Sequence, residues 1–97
     1  MIHIHYRQTG NLLSLLVFGH AGYSDPGKDI VCAGVSALTF TFINFMDELD
    51  PEGYERTVRP GEVKIQFEKD GTVEKFILTG YRMMCDHYPG YVEMKEI

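Results

Sequence analysis

Residues 30–50, "IVCAGVSALTFTFINFMDELD", restrict the possible folds more than any other segment. Their β-branched and aromatic content, and the alternation in "LTFTF", suggest a strand. Yet Val31, Val35, Leu38, Phe42, Phe45 and Leu49 recur at steps of four and three, which is helical spacing. A run of about twenty residues is long for a strand and ordinary for a helix. Asp29 is a favoured N-cap residue, and Asp50-Pro51 closes the element. Phe40 and Ile43 are apolar but lie off the main stripe, so this helix calls for cover on more than one side, as a second subunit would provide.

The flanking segments supply a sheet to cover it. "MIHIHYRQ" alternates: Ile2, Ile4 and Tyr6 point one way, and His3, His5 and Arg7 point to a wet face that reads as solvated surface. "TGN" (9–11) is a turn, and "LLSLLVFG" (12–19) is a second, more buried strand, so the chain opens with a hairpin. A second hairpin spans 53–71, turning at Arg59-Pro60-Gly61-Glu62, with Val63, Ile65 and Phe67 toward the core. Asp70-Gly71-Thr72 opens a second helix carrying Val73, Phe76, Ile77 and Met84, Pro89-Gly90 stops it, and "YVEMKEI" makes a last strand. The order is ββαββαβ: an α+β domain with a mixed or antiparallel sheet and two helices. At 97 residues this is a single domain, 1–97.

Fourteen acidic against nine basic residues, a net charge of −5, argue against direct nucleic-acid binding, which needs a basic face, and suit a basic protein partner. Two cysteines are too few for a disulfide framework. No secretory signal is recognisable and no apolar run is read as reaching membrane-spanning length. The expectation is a cytoplasmic protein with both thiols free and no membrane association.

The chemistry concentrates in "GHAGYSDPGKDIVCAG", residues 19–34. With Asp29 as N-cap, Cys32 sits at the third helical position, where unpaired N–H groups and the helix dipole favour a thiolate and could hold an oxyanion. Cysteine is also a small hydrophobe often buried at a helix start. His20, at a strand end between Gly19 and Gly22, is placed to take a thiol proton and return it to a leaving amine; a histidine satisfied by loop backbone is the plainer reading. Asp29 caps the helix or orients His20. Ser36, one turn beyond Cys32, shares its face or simply packs there. The loop "YSDPGK" lacks a phosphate-binding pattern and reads as a cover that orders over substrate. Cys85 and His87 form a C-x-H pair that could join His20 and Cys32 in a zinc site, but the spacing matches no zinc motif, so neither a metal nor a cofactor is expected.

"GHAG" followed by "GKDIVCAGVSAL" resembles the signature of the ribosomal-processing cysteine proteases, the Prp family. The resemblance is densest over residues 19–38 and extends through element order to "YPGYVEM"; Gly34 stands where family members often have alanine. It implies a bacterial, homodimeric endopeptidase with a Cys/His dyad. Its substrate would be the short N-terminal extension of large-subunit ribosomal protein twenty-seven, cut after an apolar, aromatic-containing stretch and before a small residue. Carried over by position, Cys32 would be nucleophile and His20 base, with Asp29 and Ser36 in support. Residues 21–28 would be the mobile cover, and Gly19, Ala21, Gly22 and Gly27 would belong to the substrate loop. The rivals are a non-enzymatic dimeric binding or ribosome-assembly factor with a structural thiol, and a redox or metal-binding domain using Cys32 and Cys85.

Overall fold

The computed structural model describes residues 1–25 and 27–97; Pro26, inside the expected cover loop, lies outside the described residues. These form β1 (Ile2–Thr9), β2 (Leu12–Gly19), α1 (Ile30–Leu49), β3 (Tyr54–Arg59), β4 (Glu62–Glu68), α2 (Val73–His87) and β5 (Val92–Glu96), in the expected order ββαββαβ. The sheet runs β3-β4-β2-β1-β5 and is mixed: β1/β2, β2/β4 and β3/β4 pair antiparallel, while β5 lies parallel to β1. Strand alternation places Ile2, Ile4, Leu13, Leu15, Val17, Val63, Ile65 and Phe67 in one buried layer. The two helices pack side by side and close the core.

Helix α1 begins as expected at Asp29, whose carboxylate accepts from the N–H groups of Val31 and Cys32. Its buried stripe is Val31, Val35, Thr39, Phe42, Ile43 and Met46, which corrects the expected one. Leu38 turns toward α2, where Gly80 leaves room for it, and Phe45 and Leu49 face outward. Thr39 holds a core position because its hydroxyl donates to the Val35 carbonyl and, as acceptor, meets the Tyr81 hydroxyl at 2.7 Å. That interior site pushes the Tyr81 phenol up to about 12, chiefly by burial. Near its end, α1 is tied to edge strand β3 by the Tyr54 hydroxyl, which donates to the Ile43 carbonyl and to Asp47, and by an Arg56–Asp47 ion pair.

Helix α2 is capped from Asp70, which accepts from the N–H groups of Thr72 and Val73, while Glu74 reaches back to those of Asp70 and Gly71. Phe76 is 71% exposed rather than in the core; Ile77, Tyr81 and Met84 take the buried stripe.

Two further expectations change. Over an 18-residue window α1 has mean hydropathy 1.6, so by length and composition it is apolar enough to span a membrane, contrary to the reading that no run reaches that length. Here one side of it covers the sheet, while Ile30, Phe40, Phe45 and Leu49 stay exposed. His3 and His5 are not solvated surface either: both are half-buried, with Phe18 stacked on His3 at 4.8 Å and edge-on to His5 at 5.2 Å.

Candidate active site

The end of β2, the start of α1 and the β3–β4 turn enclose a cleft of about 510 Å³. His20, Cys32 and Ser36 line it together, so the strand end and the helix start, separated in sequence by a loop, meet in space. Ile2, Val17, Val35 and Phe40 give it an apolar floor and side, and Val58, Arg59, Pro60, Gly61 and Glu62 form the opposite wall. Sequence reasoning did not assign the turn residues to the site, because only the β2–β4 pairing carries them there.

Gly19 sets the position of His20. Its φ is +96°, a region that L side chains rarely adopt, and a β-carbon there would lie 2.4 Å from the Met1 carbonyl oxygen. Its N–H donates to the Gly61 carbonyl at 3.1 Å, fixing the β2 end against the turn. Gly22 and Gly27 also have positive φ, with open space where a side chain would go. His20 is exposed, and the notional β-carbon of Gly61 would come within 3.7 Å of its Nε2.

Cys32 is partly buried and unpaired by disulfide. Its Sγ accepts from the Ala21 N–H at 3.3 Å, and its place in the first helical turn sets it at the positive end of the helix dipole. The first helical turn carries no acidic side chain. Asp29 is the nearby negative group, and four N–H groups share its charge: Val31 and Cys32 on one oxygen, Tyr23 and Ser24 on the other. Those bonds, led by the one from Cys32, hold its carboxyl below the ordinary value. Asp29 therefore caps the helix and anchors the loop, and its hydrogen bonds go to backbone rather than to His20. The same bonds occupy two N–H groups that the sequence suggested for an oxyanion, which leaves Ala21 N–H as the donor seen aimed at the sulfur. Ala21 itself is buried, and Tyr23 packs edge-on against Tyr88 and Tyr91 at 5.8 and 5.1 Å, so residues 21–23 rest on the body of the domain.

Gly34 lies on the helix contact. A β-carbon there would come within 2.7 Å of the Met84 methyl, so Met84 fills the space that an alanine would occupy. The departure from the expected alanine is thus a packing exchange away from the cleft. Cys85 has its thiol pushed up, first by burial and then by the Asp86 charge, the wrong direction for a redox partner. His87 is exposed and bonded to the Met83 carbonyl. Among the described residues, the one group of three or more side chains able to hold a metal ion is His3, His5 and Glu93, so His20, Cys32, Cys85 and His87 do not converge.

A strand-end imidazole and a helix-start thiol on one cleft are the arrangement of thiol hydrolases as a class. The family model described as cysteine protease Prp matches residues 1–93, and the chain belongs to that family. The ribosomal processing cysteine protease Prp of Bacillus subtilis (strain 168) is 39% identical over 51 residues, spanning 53% of this chain and 44% of that protein. The fold matches that of an essential ribosomal processing protease Prp from S. aureus solved with a covalently linked product peptide, with TM-score 0.86 and 21% identity over the whole of both chains. It also matches that protease with a substrate peptide, with TM-score 0.79 and 20% identity, again over the whole of both chains.

Proposed function

We propose that this protein is a cysteine endopeptidase that removes the N-terminal extension of large-subunit ribosomal protein twenty-seven. The observation that carries the reading is Cys32 at the start of α1, in one cleft with His20 and with the Ala21 N–H aimed at its sulfur. His20 takes the thiol proton and the thiolate attacks the scissile carbonyl carbon. The Ala21 N–H, which lies beside the sulfur, stabilises the oxyanion. As the C–N bond breaks, His20 returns the proton to the departing amine. Water, losing a proton to His20, then hydrolyses the thioester and releases Cys32. Asp29 and Ser36 are positioning residues; neither needs to exchange a proton with substrate.

The substrate assignment rests on the family and on fit. The cleft's apolar floor and side suit an apolar, aromatic-containing stretch before the cut, and a net charge of −5 suits a basic ribosomal protein. The exposed Phe45 and Leu49 near the end of α1 are assigned to a homodimer contact, and a reducing cytoplasm keeps both thiols free.

The test is cleavage of a peptide carrying the extension. Cys32→Ala and Cys32→Ser abolish cleavage while the protein stays folded, and His20→Ala lowers kcat/KM by roughly 10²–10⁴-fold. Normal cleavage by either Cys32 variant, or a fully active His20→Ala across pH, overturns the assignment of that residue. A folded, pure protein that leaves the extension intact overturns the reading itself.

A further inference from the structure

On the sheet face opposite the helices, two imidazoles and a carboxylate converge. His3 and His5 are two apart on β1 and therefore point the same way, and Glu93 on β5 stands directly across from His3 in the parallel register. His3 Nδ1 is hydrogen-bonded to Glu93 Oε1. His5 Nε2 points at the same oxygen from 3.7 Å, beyond hydrogen-bond reach. That nitrogen is shut off from solvent and has no hydrogen-bond partner among the described residues. One ligand atom from each of the three side chains lies within 4.8 Å of the others. Phe18 stacks on one imidazole and meets the other edge-on, which restricts both rings.

We infer that His3, His5 and Glu93 form a zinc site that joins β1 to β5. Two imidazole nitrogens and one carboxylate oxygen are a donor set for a borderline divalent metal such as Zn²⁺, and three protein ligands leave a fourth position for water. With metal–ligand bonds of about 2.0–2.2 Å, tetrahedral ligands stand roughly 3.3 Å apart. To reach that spacing Glu93 parts from His3 and closes on His5, and the two imidazole nitrogens, which lie within 4.8 Å of each other, adjust with it. The ion replaces the His3–Glu93 hydrogen bond and gives the orphaned His5 nitrogen a partner. Glu93 is half-exposed, so the ion has a path from solvent. Its structural effect falls on the β1/β5 edge, where β5 is a five-residue strand with β1 as its partner in the sheet. The site shares Phe18 with the lining of the Cys32 cleft but none of its three ligands, and it does not depend on the proposed peptidase activity.

Zinc binding is measured by elemental analysis after dialysis and by competition with a chromogenic chelator, on wild type, Cys32→Ser, His5→Gln, Glu93→Gln and the His3→Gln/His5→Gln double variant. Cys32→Ser is included because a thiolate also binds zinc. Wild type and Cys32→Ser are expected to hold one zinc per chain and to unfold at a higher temperature with zinc than without. His5→Gln and Glu93→Gln should each weaken binding at least tenfold, and the double variant should lose it. Each variant's metal-free melting temperature checks that its fold is intact. The Co²⁺-loaded protein should show visible d–d bands without a thiolate charge-transfer band. Three results overturn the site: no stoichiometric zinc on wild type, full binding by the double variant, or loss of binding in Cys32→Ser together with a thiolate band.

Discussion

Replacing Gly19 by alanine tests how the backbone positions His20. The added β-carbon would sit 2.4 Å from the Met1 carbonyl oxygen. An ordinary C···O contact is about 3.3 Å, so β2 and the chain start must part by about 0.9 Å. Two costs add. Holding alanine at a φ of +96° costs about 1–2 kcal/mol, and relieving the overlap about 1–3 kcal/mol. At about 4–8 °C per kcal/mol for a domain this size, the melting temperature falls by at least about 8 °C. The displaced residue adjoins His20, and a misplacement of about 1 Å in a catalytic group costs on the order of 10²-fold in rate. Gly10→Ala is the control: its φ is +59° but nothing lies within 4 Å of the new carbon, so it incurs only the conformational cost. Thermal unfolding of both variants isolates the steric contribution, and kcat/KM on the extension peptide reads the displacement of His20. Equal melting temperatures for the two, or wild-type cleavage by Gly19→Ala, would refute the reasoning.

Asp29→Asn should weaken the loop anchor while keeping one cap acceptor. Because backbone N–H groups lower the folded-state value of Asp29, its contribution to stability is complete above the ordinary carboxylate value of 3.8 and is lost as pH falls through the lowered one. Urea unfolding across pH should therefore show the gap between wild type and variant narrowing below about pH 4; a constant gap would contradict this. Tyr81→Phe leaves the Thr39 oxygen without its donor and should cost about 1–2 kcal/mol. Since the Tyr81 value is raised to about 12, its stabilisation is complete below the ordinary value of 10.0 and fades as pH climbs toward 12. The variant should lose less stability over that interval than wild type, as measured by chemical denaturation.

Much of the fold is legible in local pattern. Alternation placed Ile2, Ile4, Val63, Ile65 and Phe67 in the core, and Asp29 marked the start of α1, because strand period and capping act over a few residues. Rotation of the helices about their axes was not legible. Leu38, Phe45 and Phe76 fit an apolar stripe as well as the residues that displaced them, and only the contact between α1 and α2 selects among these faces. Thr39 reads as polar until Tyr81 supplies its partner.

The candidate site divides the same way. The chain alone placed a histidine at a strand end and a cysteine at a helix start, and the "GHAG…DIVCAG" pattern pointed to the Prp family, which the family match bears out. Tertiary structure decided that His20, Cys32 and Ser36 share one cleft, that the β3–β4 turn walls it, and that the Asp29 charge is spent on four backbone N–H groups. It also brought Glu93 beside His3 and His5. Parallel pairing of the last strand with the first is a contact between residues about ninety apart in sequence. No local period records such a contact; it forms when the whole sheet assembles.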